Sequence, residues 1–192
     1  MAARSKKQGY HHGALREALL EVALREVERT DPAKLSGRQL ARALGVSHAA
    51  PAHHFPTKEA LLSAVAVEGW GRFAVALERA ARRGATPRAR VVAVGRAYVR
   101  WALDHPGAFR LLLGRGASDQ EAVRAAALGA LAVLEGALAS TAPGLVLTAW
   151  ATVHGLATLW LEGPGQALFS GRAAFERSVA RGLEDLAARA LG

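Results

Sequence analysis

The chain of 192 residues contains no cysteine. That excludes a disulfide framework, a thiol nucleophile and a thiolate metal site, and it suits a cytosolic protein. Asparagine is absent as well, and no stretch alternates Val, Ile or Thr with polar residues, so the signature of a half-buried strand is missing. The expected fold class is all-α. Acidic residues are scarce: 16 Asp and Glu stand against 25 Lys and Arg, leaving a formal charge of +9 that favours a polyanionic partner. Only Leu145 to Leu161 resembles a membrane span, and Thr148, Thr152, His154 and Thr158 interrupt it. It barely reaches spanning length, so the expectation is a buried helix and no membrane partner. No charged-then-apolar leader opens the chain, because RSKKQGYHHG runs into an amphipathic pattern. Catalytic signatures are lacking too. There is no phosphate-binding glycine loop, no HExxH and no Ser/His/Asp set, and Asp104 beside His105 diverges from it on a helix. Neither an enzyme nor a cofactor is expected.

What is present is organised around Leu35 to Leu62, LSGRQLARALGVSHAAPAHHFPTKEALL. Ser36 is a good N-cap for a helix carrying Leu40, Ala41 and Leu44. Gly45 then suits a left-handed helix end, and Ser47 is placed to cap a second helix from Ser47 to about His54. Small Ala41 and Gly45 allow the first helix to approach its successor. This is the layout of a helix-turn-helix, whose second helix lies in the DNA major groove. That helix would offer Ser47, His48, Ala49, Ala50 and His53 to base edges, thymine methyls or phosphates. Pro51 falls near the first turn, where a missing N–H costs least. Lys58 opens the next helix, and beside this motif it reads as a phosphate contact rather than a solvated lysine.

Around this unit the periodicity predicts further helices. Gly13 to Arg29 carries the stripe Leu15, Leu19, Val22, Ala23 and Val27. Thr57 to Arg83 is one long helix that can link a reading unit to a second unit. Others follow from Thr86-Pro87 to His105, Pro106 to Leu113, Ser118 to Ala139, Pro143 to Glu162 and Gly171 to Leu191, with Gly163-Pro164-Gly165 as a break. The opening residues, with Arg4, Lys6 and Lys7, are either a disordered tail or a basic arm that touches phosphate or the minor groove. Both descriptions hold if the arm orders on binding.

Two residue groups invite a site. Five of the seven histidines (His11, His12, His48, His53, His54) precede residue 60. Adjacent histidines on a helix point apart, so neither pair chelates a metal by itself, and His54 reads as a packed residue orienting the turn. The second group is aromatic and lies downstream: Trp70, Tyr98, Trp101, Phe109, Trp150, Trp160, Phe169 and Phe175. The Trp150/His154 side of the late apolar helix could line a cavity with one polar group among apolar walls. A core with a satisfied histidine explains His154 equally well. Thr148, Ala151, Gly155 and Thr158 make a small-residue strip suited to close helix packing, within the subunit or across a dimer.

Leu40-Ala41, Gly45-Val46-Ser47 and His54-Phe55-Pro56-Thr57-Lys58-Glu59-Ala60-Leu61-Leu62 together resemble the signature of the TetR family of transcriptional regulators. Tyr10-His11-His12-Gly13 resembles the opening of one branch of that family. Trp150, His154 and Gly155 match that branch's Trp-x3-His-Gly motif, and Tyr98-Val99-Arg100 and His105-Pro106 also fit. The resemblance implies a homodimer with a basic arm (1–12), a three-helix DNA-binding domain (13–56) and a helical effector-binding and dimerisation domain (57–192). The last two helices would supply most of the dimer contact. It implies a ligand-released repressor on a palindromic operator in double-stranded DNA. The candidate DNA contacts are Arg4, Lys6, Lys7, Ser36, Arg38, Ser47, His48, Ala49, Ala50, His53 and Lys58. The candidate contacts to an unknown small-molecule effector are Tyr98, Trp101, Phe109, Trp150 and His154. No residue is assigned to a metal. Two positions depart from the family's pattern. Ala52 replaces a tyrosine that commonly contacts phosphate, which moves that contact to His53 or removes it, and Ala14 replaces an acidic helix cap. The rival readings are a histidine-based metal sensor or small metal-dependent enzyme, and a basic protein that coats DNA without regard to sequence.

Overall fold

The computed structural model of the chain describes residues 12–114, 120–138 and 143–191. Arg4, Lys6, Lys7 and the helix start at Ser118 lie outside the described residues. Among those described, every regular element is helical: α1 (His12–Val27), a 3-10 turn (Pro32–Lys34), α2 (Gly37–Leu44), α3 (Ala50–His54), α4 (Lys58–Ala81), α5 (Pro87–Asp104), α6 (Pro106–Leu113), α7 (Glu121–Leu138), α8 (Pro143–Leu161), α9 (Pro164–Leu168) and α10 (Arg172–Leu191).

The helix starts follow local chemistry. Ser36, Thr57 and Thr86 each accept a hydrogen bond from the backbone N–H three residues on, satisfying one of the donors a helix leaves open at its N-terminus. Three expectations change. The second helix of the helix-turn-helix does not start at Ser47. Ser47 closes a turn through its carbonyl, which accepts from Ala50 N at 3.0 Å, and α3 begins at Ala50. Pro51 decides this, because a residue without an N–H fits the first turn and no later one. The Gly163-Pro164-Gly165 break also contains a short helix, α9, with Pro164 at its first position. The apolar helix α8 is not buried within the chain: only 17% of Gly144–Leu161 is buried, and Leu147 and Leu159 stand 60% and 49% exposed.

α1, α2 and α3 close around Leu19, Ala23, Leu35, Leu40 and Phe55, all buried. α4 leaves this cluster and packs along α5 and α7, while α5 is flanked by α8 and α10. α5 and α10 are also clamped at the surface. Arg172 contacts Asp104 at 2.5 Å and Glu176 at 2.6 Å, and Arg100 reaches Glu176 at 3.2 Å. Partial burial would raise the Glu176 carboxyl, but the hydrogen bonds from Arg172 and Arg100 outweigh it and hold the group below the usual carboxylate range.

The three-helix cluster and the larger bundle also meet where α1 ends and α6 begins. The Glu28 carboxylate accepts from the backbone N–H of Gly107 at 2.8 Å and of Ala108 at 3.1 Å. A carboxylate on the free N–H groups at a helix start is favoured by both hydrogen bonding and the helix dipole. The two backbone segments approach so closely that a Cβ on Gly107 would lie 1.9 Å from the Val27 carbonyl oxygen. Backbone cannot swing aside as a side-chain tip does. Gly107→Ala is therefore expected to destabilise the protein by ~1–3 kcal/mol or more, read as a lower denaturant midpoint with far-UV helical content retained at low denaturant.

Candidate functional site

The helix-turn-helix is built by two caps and one close contact. At the start of α2, Ser36 Oγ accepts from Gln39 N at 3.4 Å and donates to Gln39 Oε1 at 3.0 Å. At its end Gly45 takes φ +66°, with Gly45 N–H reaching the Arg42 carbonyl and Val46 N–H the Ala41 carbonyl, the paired pattern of a left-handed helix stop. The close approach of α2 to α3 is made elsewhere than the spacing of Ala41 and Gly45 suggested. A Cβ on Gly37 would lie 3.2 Å from the Pro51 Cβ, whereas one on Gly45 would meet open space. Gly45 serves backbone conformation and Gly37 serves contact.

This geometry turns one side of α2 and α3 to solvent. Arg38, Ser47, His48, Ala49, Ala52 and His53 are exposed, and Ser36 and Ala50 half-buried. His54 is half-buried, its ring 6.3 Å from that of buried Phe55. The Arg16 guanidinium lies over the Phe55 ring, 5.6 Å from its centroid, so Phe55 ties α1 to the end of α3. Lys58 is exposed, and its Nζ donates to the Ala33 carbonyl in the turn before α2. An ammonium has three donors, so this bond ties α4 to the head and leaves two free for an anion. Among the described residues no group of three His, Cys, Asp or Glu side chains is placed to hold a metal.

A second site lies in the larger bundle. A cavity of about 310 Å³ is walled by α4 (Trp70, Phe73, Leu77), α5 (Tyr98), the end of α6 (Leu112, Leu113), α7 (Val123 to Leu134) and α8 (Trp150). Of the five residues expected to touch an effector, Tyr98 and Trp150 line it. His154, Phe109 and Trp101 stand one layer back. The Trp150 indole N–H donates to Tyr98 Oη at 3.3 Å, and the Tyr98 hydroxyl lies 3.3 Å from His154 Nδ1. Phe109 packs edge-on to Tyr98 and against His154, and Trp101 packs on Phe73 and His105. Burial holds the Tyr98 phenol neutral, pushing its pKa up to about 12. Burial also lowers the pKa of His154, keeping its ring neutral near pH 7 and able to accept the Tyr98 proton.

Residues 19–65 match the model described as bacterial regulatory proteins, tetR family, and residues 91–182 match a tetracyclin repressor-like C-terminal domain. The chain belongs to the TetR family. A solved protein of unknown function from Rhodococcus sp. RHA1 is similar over nearly the whole length, with 36% identity, 95% of this chain and 98% of that one covered, and a TM-score of 0.77. A tetR-family regulator from Streptomyces coelicolor shares the fold at 23% identity, covering 93% of this chain and 80% of that one with a TM-score of 0.68. AibR, solved with isovaleryl coenzyme A and operator DNA, shares it at 19% identity, 90% and 97% coverage and a TM-score of 0.63. No curated protein matches the chain.

As a TetR-family protein the chain is a DNA-binding transcriptional regulator and not an enzyme. Its helix-turn-helix was readable from the sequence, but most of its cavity was not. Trp70, Phe73 and Leu77 follow helical spacing on α4, and Val123, Ala130 and Leu134 follow it on α7. Such stripes read as packed core, and nothing in them marks the space that α4, α5, α6, α7 and α8 enclose together. Glu28 was missed because its partners lie 79 and 80 residues away.

The neutral His154 sets a pH dependence. Its folded pKa lies below histidine's ordinary 6.5, so the stability it contributes is complete above that pH and is lost as pH falls below it. The expected result is a melting temperature that drops more between pH 7.5 and 5.5 for the wild type than for His154→Gln, which keeps an acceptor for Tyr98 but cannot titrate. Equal drops would contradict the assignment.

Proposed function

We propose that this regulator is a homodimeric, cytoplasmic repressor whose hold on a palindromic operator is released when a small molecule fills the cavity. The units are the basic arm (1–12), the reading head (13–56) and the effector-binding and dimerisation domain (57–192). The observation that carries this reading is that the cavity shares two helices with the head. α4 begins at Lys58, bonded to the head's Ala33, and passes Trp70, Phe73 and Leu77 along the cavity. α6 begins under Glu28 and ends at Leu112 and Leu113 in the cavity wall. The helices also bear on each other, since a Cβ on Gly69 of α4 would lie 3.0 Å from Leu112 Cδ2. A ligand that separates α4 from α7 therefore moves helices that support α1 to α3.

The outward face of α8, with Leu147 and Leu159, and exposed Leu186 on α10 supply the apolar surface for a second copy. Dimerisation sets the two heads against half-sites about one helical turn apart, so a small tilt of α4 breaks simultaneous docking. Ser47, His48, Ala49, Ala50 and His53 face the base edges. Ser36, Arg38, Lys58 and the arm residues Arg4, Lys6 and Lys7 hold phosphate. AibR, with its isovaleryl coenzyme A and operator complex, supports the pairing of DNA and ligand in this fold.

A palindromic duplex selected from a random pool tests the reading by fluorescence anisotropy. Arg38→Ala is expected to weaken binding about equally on selected and scrambled duplexes and to reduce the salt slope by about one. His48→Ala is expected to lose the preference for the selected duplex, by ~1–3 kcal/mol per contacted base pair. Leu147→Arg should yield a folded monomer that no longer holds the palindrome. Wild-type protein that binds selected and scrambled duplexes alike would overturn it.

A further inference from the structure

We propose that the cavity takes an apolar carboxylate, with the hydrocarbon body lying between α4 and α7 and the anionic head at the end bounded by Trp70 and Arg124. This rests on the effector-site reading above and adds the chemical class of the ligand.

Four observations converge. The walls are apolar apart from a few groups: Phe73, Leu77, Leu131 and Leu134 present only hydrocarbon. The polar atoms of Tyr98 and Trp150 are engaged with each other and with His154, so they offer an incoming molecule little.

One polar atom of a lining residue has no such engagement. The Trp70 indole nitrogen is buried and lacks any hydrogen-bond partner, the one such side-chain atom among the described residues. A buried donor left unmatched is costly, and an acceptor oxygen placed beside it removes that cost.

Charge sets the sign of the ligand. Arg124, exposed at the rim, is the one charged side chain among the described lining residues, and no acidic side chain is with it. A cation would enter with no counter-charge and beside a guanidinium, whereas a carboxylate meets both a cation and a free N–H.

Placement puts these two groups at the same end. α4 and α7 run in the same direction, because Leu77 and Leu134 meet in this cavity and Ala81 and Ala137 share the groove beyond them. Trp70 and Arg124, each near the other end of its helix's stretch, therefore lie at the same end of the cavity. The far end is hydrocarbon only. A volume of about 310 Å³ is at the small end for ligand sites, which suits a compact chain or ring acid.

Isothermal titration of the purified full-length protein with decanoate, decyltrimethylammonium and decan-1-ol tests this. The expected result is one decanoate per chain, bound at least about tenfold more tightly than the cation. Arg124→Gln should weaken decanoate about tenfold and leave decan-1-ol unchanged. Trp70→Phe should weaken decanoate and decan-1-ol alike, with a melting temperature unchanged or raised because an unmatched donor has gone. Should Trp70→Phe fail to fold, Arg124→Gln decides. The proposal is overturned if decanoate does not bind, if the cation binds as tightly, or if Arg124→Gln holds decanoate as the wild type does. Decanoate that binds in this way without loosening operator DNA would leave the ligand class standing and contradict the release mechanism. Release from DNA by decyltrimethylammonium and not by decanoate would do the reverse.

Discussion

The structure depends on one carboxylate bridging two units that are far apart in the chain. Glu28 stands just past the end of α1, where a negative charge gains nothing from its own helix. It is held there because the first amides of α6 point at it. The same junction requires glycine at 107, since any side chain would enter the Val27 backbone. A second tie runs from Arg72 of α4 to Glu21 of α1, with Glu68 on the same guanidinium. These partners are substantially exposed, so their worth is modest beside the capping bonds. Together they make α1 the element that ties the helix-turn-helix to the rest of the molecule.

The cavity and the head then become two ends of the same supports. α4 and α6 are each capped or bonded at the head and each reach the cavity wall, so the proposed release would run through packed helices rather than through a loop. The Trp150–Tyr98–His154 chain matches its polar atoms internally, and the Tyr98 ring packs edge-on against Phe73 of α4. α4 and α7, which pack closely on each other, complete the wall. The unmatched Trp70 nitrogen belongs to α4.

Much of this architecture was legible because it is set by short-range chemistry. Ser36, Thr57 and Thr86 cap helices by bonding three residues ahead, and Gly45 ends one by adopting positive φ, so their roles are written in adjacent residues. Ser47 misled because the start of α3 is decided by Pro51, four residues on. α8 misled differently. Its sequence is apolar around the helix, and such a pattern states that the surface will be covered without stating whether by its own chain or by another. The candidate site divides on the same line. The exposed face of α2 and α3 followed from helix periodicity within one short segment, whereas the cavity depends on how five helices far apart in sequence meet. Glu28 offered no local signal at all, since a glutamate after a helix end is ordinary until α6 arrives over it.

The central claim is that the Glu28 cap couples the head to the ligand-bearing bundle, and amide hydrogen exchange in wild type and Glu28→Ala measures it most directly. The account predicts that in the wild type the buried amides of α1 and α5 exchange through openings of similar free energy. In the variant, α1 to α3 should lose protection by about tenfold or more, the worth of charge-assisted capping bonds, while α5 keeps its own. Unchanged protection of α1 in Glu28→Ala, or an equal loss in α1 and α5, would contradict it.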